Sequence, residues 1–197
     1  MMRIIRAGEC RKMPWKNGGG TTTEIAVSPA GAGLDDFDWR VSMARVEAGG
    51  PFSGFAGVDR TLCVLEGEGM TLDISGQRPI VLGHASAPVS FPADLPTVAT
   101  LSAGPITDLN VMTRRGRMSH DVRRLELDEP TEIAVEEKCV LFFCHRGRIG
   151  LDGSPDGELG PLDTALATDV AGVIHLEPVA MPAVVFVVRI HDMRAHS

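Results

Sequence analysis

Thr61-Leu62-Cys63-Val64-Leu65-Glu66-Gly67, taken up again by Met70-Thr71-Leu72-Asp73-Ile74 and by Leu82-Gly83, is an apolar, strand-like run stopped by a glycine turn and resumed three residues later. The same rhythm runs through the chain. Strand signals fall at 24–27, 39–46, 61–66, 70–74, 80–82, 97–101, 108–113, 132–135, 140–144 and 184–190, with Gly, Pro and Asp in nearly all the gaps. No window longer than ten residues keeps a helical period, so the pattern predicts an all-β sandwich or barrel with little helix.

The opening stretch has an echo. Cys63 to Gly67 and Leu82-Gly83 are matched by Phe143-Cys144-His145-Arg146-Gly147 and Leu159-Gly160, and Leu109 to Met112 by Phe186 to Arg189, at an offset of 77 to 80 residues. A repeat of that length fits a duplicated β unit. A strand, a glycine turn, a Leu-Gly step and a proline also resemble the rhythm of a cupin, a small jelly-roll β-barrel with a pocket in its mouth. A bicupin is therefore expected, with residues 1–115 as a barrel carrying the pocket and 116–197 as a degenerate second half packed with it as one unit. The basic stretch from Arg114 to Arg124 is read as a solvated connector between them.

At 197 residues and 44% hydrophobic content the chain can bury a full core. No apolar run approaches the ~20 residues that cross a bilayer, and Met1 to Arg6 lacks a secretory apolar centre, so a cytoplasmic protein with no membrane partner is expected. A formal charge of -7 argues against a nucleic-acid partner. Cys10, Cys63, Cys139 and Cys144 include no CxxC pair and read as buried small hydrophobes. His84, His120, His145, His175, His191 and His196 contain no His-x-His and have no ligand spacing, so no metal and no cofactor are expected. The edges of an all-β chain need covering, and a homodimer through an edge is one solution.

Pro14-Trp15-Lys16-Asn17-Gly18-Gly19-Gly20 runs into Thr21-Thr22-Thr23 and sets a cation, an amide and an indole beside three glycines. Exposed amides in such a turn can cradle an anion, and the competing reading is a plain hairpin turn before a Thr-rich strand. A phosphate loop does not fit, because Lys16 precedes the glycines and a strand, not a helix, follows.

Alternation along Trp39 to Ala44 puts Arg40 and Ser42 on one face and Trp39, Val41 and Met43 on the other. That polar face meets water in an open sheet, or lines a cavity in a ligand-holding barrel, where a guanidinium suits a carboxylate. Asp108 and Asn110 pose the same choice on a later strand. The stretch Gly49 to Arg60 mixes glycines with Phe52 and Phe55, which read either as a flap over a pocket or as a plug, and Asp59 with Arg60 reads as a local ion pair. No nucleophile motif is present. Glu24 and Asp108 are the candidate proton-transfer groups if an enzyme is intended.

Pro14 to Ile25, Trp39 to Ala44, Gly50-Pro51-Phe52-Ser53 with Phe55 and Gly57, Asp59-Arg60, Leu65-Glu66-Gly67, Phe91-Pro92 and Asp108 to Met112 together resemble the HutD/Ves family from about Arg11 to Arg115. The resemblance implies a metal-free bicupin associated with histidine utilisation that senses or buffers a small anionic metabolite such as urocanate or a formylated glutamate. It carries over ligand-binding roles to Trp15, Lys16, Asn17, Gly18, Gly19, Arg40, Ser42, Phe55, Arg60 and Asn110. In that scheme Lys16 and Arg40 share the carboxylate, Asn17 and Ser42 orient it, and Trp15 or Phe55 packs on its planar part. A cupin-type isomerase or hydrolase of a small acid, and a structural or protein-interaction double barrel, are the competing functions.

Overall fold

The computed structural model of the protein describes residues 1–152 and 157–196, the last two by backbone only. Its strands are β1 (Met2–Ile5), β2 (Arg11–Pro14), β3 (Gly20–Ser28), β4 (Trp39–Val46), β5 (Gly50–Pro51), β6 (Val58–Glu66), β7 (Met70–Ile74), β8 (Ile80–Leu82) and β9 (Val89–Pro92). They continue with β10 (Thr97–Leu101), β11 (Ile106–Arg114), β12 (Met118–Leu127), β13 (Thr131–Val135), β14 (Cys139–Leu151), β15 (Glu158–Leu159), β16 (Thr164–Thr168) and β17 (Gly172–Asp192). Helix among the described residues is limited to two 3-10 turns, Ala7–Glu9 and Met193–His196. None is long and apolar enough to cross a membrane.

The chain divides into a unit of Arg11–Ser119 and a second of Met1–Cys10 with His120–Ser197. The first ten residues thus belong with the later sequence, unlike the expected division at 115, because β1 pairs antiparallel with β16 from Met2↔Ala167 to Ile5↔Thr164. Arg6 extends the attachment, donating to Asp163 Oδ2 at 2.8 Å.

In the Arg11–Ser119 unit a six-stranded sheet, β2-β3-β4-β11-β6-β9, faces a four-stranded sheet, β5-β10-β7-β8. Ala44, Leu62 and Val64 from the first pack with Met70, Leu72 and Ala99 from the second in one buried cluster. The other unit is built on a seven-stranded sheet whose path runs β1-β16-β14-β17-β12, and its core gathers Val140, Phe142, Cys144, Val185 and Val187. The all-β architecture expected from the sequence is present, while the hydrogen-bonded sheet paths among the described residues are open; burying one face of a sheet needs a facing layer and not closure.

Two strand pairs repeat one register. Leu62↔Asn110 and Val64↔Asp108 join β6 to β11, while Phe142↔Val187 and Cys144↔Val185 join β14 to β17. Gly67 and Gly147 follow β6 and interrupt β14 at φ +92° and +74°, and in both a Cβ would come within 2.6 Å of a carbonyl oxygen, that of Pro105 or Pro182. Only glycine accepts both conditions.

The basic stretch does hold the division between the units, between Ser119 and His120, but it is not a solvated linker. From Met118 it is strand β12, and its arginines are engaged. Arg114 donates to the carbonyls of Phe37 and Asp35, Arg115 grips Asp59 and Asp94, and Arg117 pairs with Asp38. Each cation has a carboxylate or carbonyl within reach, which a solvated linker would not provide.

Candidate functional site

The polar residues of β4 and β11 turn inward. Arg40, Ser42, Asp108 and Asn110 keep 6%, 3%, 1% and 4% of their surface exposed, which removes the solvent-facing alternative. Register explains why they meet: Ser42 pairs with Glu24 on β3 and Asn110 on β11, and Met112 pairs with Arg40 on one side and Arg60 on the other. Arg40 and Arg60 are thus two strand spacings apart, about 10 Å between backbones, with Met112 between them.

Within this cluster Arg60 donates from Nε to Asn110 Oδ1 at 2.7 Å and again from Nη2. Asn110 Nδ2 in turn donates to Asp108 Oδ1, forming a relay from cation through amide to carboxylate. Arg40 Nε donates to Glu24 Oε2 at 2.8 Å. The Arg60 guanidinium lies 4.4 Å from the Phe52 ring centroid and 6.0 Å from that of Phe91. Aromatic rings on its faces leave only its edge for hydrogen bonding.

Burial pushes the Asp108 carboxyl up to about 6, against the opposing pull of Arg60, the Asn110 amide and the Ala44 N–H. Burial also lowers Arg60 to about 10; Asp108 opposes that change and Arg40 adds to it, and the guanidinium stays charged at neutral pH. Both Nη nitrogens of Arg40 and Nη1 of Arg60 have no hydrogen-bond partner among the described residues, and none belongs to the polar atoms sealed from solvent without one. The site therefore holds charged guanidinium donors without a protein partner, the group suited to bidentate capture of a carboxylate.

The glycine hairpin is elsewhere. Lys16, Asn17 and Gly18 are exposed, and Lys16 has no ion-pair partner among the described residues. Asn17 Oδ1 is occupied by the Gly19 N–H at 3.0 Å, and Gly18 donates to the Trp15 carbonyl at 3.0 Å. Gly20 pairs with Val46 and Val46 with Ile106, so the hairpin tip and the Arg40–Met112 level lie roughly 20 Å apart along the sheet. Lys16 and Arg40 are consequently not brought to one carboxylate. Gly20 answers to packing: a Cβ there would strike the Arg45 carbonyl oxygen and press on the Trp15 ring, whose Nε1 donates to Thr22 Oγ1 at 2.7 Å. Trp15 packs against the core cluster as a lid on that end of the sheets.

Phe55 packs with Phe37, Val58, Ala93 and Met112 as a plug, while Phe52, absent from the expected ligand set, touches the key guanidinium. Asp59 and Arg60 do not pair, because neighbours on a strand face opposite ways: Asp59 goes to Arg115 and Arg60 to Asn110. No group of three or more His, Cys, Asp or Glu converges on a metal position among the described residues; the His196 side chain lies outside them. Cys10 is half-buried rather than buried, and burial lifts the Cys139 and Cys144 thiols to about 12 and 11. A shallow depression of about 520 Å³ beside Glu47, Gly50, Ala99 and Leu101 shares none of the cluster's residues.

The family model described as HutD matches residues 7–181, which include every member of this cluster. The chain belongs to the HutD family. Among HutD relatives, Protein Ves from Citrobacter koseri is 40% identical over 85% of this chain and 81% of its own length. An uncharacterized protein of the hutC 3' region in Pseudomonas putida is 42% identical, but the match spans only 57% of that relative and 56% of this chain. HutD from Pseudomonas fluorescens, solved in a formate condition, superimposes with a TM-score of 0.84 at 29% identity, covering 98% of this chain and 99% of that one. A conserved protein of unknown function from Pseudomonas aeruginosa gives 0.88 at 36% identity, with 98% and 100% covered. YhhW from Escherichia coli, at 11% identity and a TM-score of 0.70 over 96% of this chain and 97% of its own, shares the all-β, cupin-like fold alone.

Proposed function

We propose that the Arg40–Arg60 cluster binds a small carboxylate metabolite, and that the protein is a cytoplasmic sensor or regulator in histidine utilisation whose ligand is urocanate or a formylglutamate-like acid. The carrying observation is an internal contrast. On the reading that the two units are copies of one bicupin design, the register of β6 and β11 is repeated by β14 and β17, and Val140, Val185 and Val187 stand where the first unit has Arg60, Asp108 and Asn110. Those valines are fully packed. A frame that closes over valine does not need an Arg–Asn–Asp relay for folding, and burying one costs desolvation that function must justify. The hutC neighbourhood named for the P. putida relative supports the pathway.

One observation favours a second reading. A buried carboxyl that gives up its proton only near pH 6 suits proton transfer, so an isomerase or hydrolase of a small carboxylic acid would use Asp108 as its acid or base. Calorimetric titration with urocanate, N-formylglutamate, formiminoglutamate, glutamate and formate, followed by product analysis, separates the two. Saturable binding with unchanged ligand, lost in Arg60→Ala, supports the sensor. Conversion that disappears in Asp108→Asn makes the protein an enzyme, and silence across the panel refutes both in favour of an interaction module.

A further inference from the structure

We infer that the site takes its anion together with one proton, Asp108 passing from carboxylate to carboxylic acid as the ligand binds. This rests on the binding function proposed above and adds its coupling to pH. Arg40 and Arg60 bring two positive charges, and Glu24 and an ionised Asp108 two negative ones, so the cluster by itself is neutral. A carboxylate group placed between the two arginines leaves one uncompensated negative charge in a poorly solvated place, and the cheapest remedy is uptake of a proton from solvent.

Geometry selects Asp108 for that proton. Glu24 is held directly by Arg40 at 2.8 Å and keeps 21% of its side chain in solvent. Asp108 is 1% exposed and reaches Arg60 only through the Asn110 amide. Of the charged groups around it, Arg60 comes from β6, Arg40 from β4 and Glu24 from β3. The facing sheet contributes Met70, Leu72, Ile74, Leu82 and Ala99, none of which titrates. The Ala44 N–H is the backbone donor to its carboxylate. An anion drawn to Arg60 weakens the attraction that keeps Asp108 ionised, and a carboxyl already displaced toward neutrality needs little further shift to protonate at pH 7.

The test is calorimetry of the intact protein with urocanate and with N-formylglutamate at pH 7 in buffers of different ionisation enthalpy, which reads protons exchanged per ligand. Uptake of more than about half a proton is expected, with affinity falling up to about tenfold per unit as pH rises from 7 to 8. Asp108→Asn should exchange none. Should that variant not fold, the ¹³C carboxyl titration of Asp108 in the wild-type protein serves instead, and ligand must move its midpoint upward. Binding without proton uptake, or uptake that persists in Asp108→Asn, overturns the inference and leaves the binding function standing. No binding by either ligand overturns both.

Discussion

Replacing Asp108 by asparagine should change how stability depends on pH, and the direction follows from burial. The carboxyl titrates near 3.8 when unfolded and at about 6 when folded. Between those values the folded protein holds more protons than the unfolded chain, so the contribution of Asp108 is most favourable at low pH and is lost as pH rises through about 6. The displacement is about two units, worth about 3 kcal/mol at ~1.4 kcal/mol per unit. A neutral amide in the same place carries no such penalty. Urea denaturation of wild type and Asp108→Asn at intervals from pH 4 to 7.5 is the assay, read as the difference between the two proteins. That difference should move in favour of the variant by up to about 3 kcal/mol over the range and flatten above pH 7. A difference independent of pH would mean that Asp108 titrates as an ordinary surface carboxyl, and the account of its environment would fail.

Arg60→Ala should weaken carboxylate binding about tenfold or more while the cooperative unfolding transition persists, as loss of a charge-assisted pair requires; Lys16→Ala, remote from the cluster, should leave the same calorimetric affinity within about twofold. Phe52→Leu removes the ring from the guanidinium face and should cost two- to fivefold in affinity, about 0.5–1 kcal/mol, with Tm as the control for folding. Gly20→Ala must fit a methyl against the Arg45 carbonyl oxygen and the Trp15 ring and should destabilise by about 2 kcal/mol or more in urea, with a change in the near-UV dichroism of Trp15.

The strands with clean alternation and Gly or Pro punctuation are read directly: 39–46, 70–74, 80–82 and 97–101 have the observed bounds. β12 is hidden because Arg123, Arg124 and Glu126 make it resemble a solvated linker. The first half of β17 is hidden by Pro178 and Pro182, which ordinarily argue against a strand. At the site, alternation puts Arg40 with Ser42 and Asp108 with Asn110. It does not say that both faces of these strands are buried, which decides whether such residues meet water or each other. Placing Lys16 beside Arg40 fails for a related reason: a motif shows adjacency along the chain, and only register shows that the hairpin tip lies at the other end of the sheet.

Arginine side-chain NMR most directly tests the claim that an anion is held between Arg40 and Arg60. With the Nε–H resonances assigned, urocanate or N-formylglutamate is added stepwise to the wild-type protein. Arg40 and Arg60 should shift together along one saturation curve, with the Asn110 amide following and the Lys16 to Gly19 amides unmoved. Saturable shifts confined to the Lys16 to Gly19 hairpin, with both arginines silent, would place the ligand on the glycine loop and contradict the account.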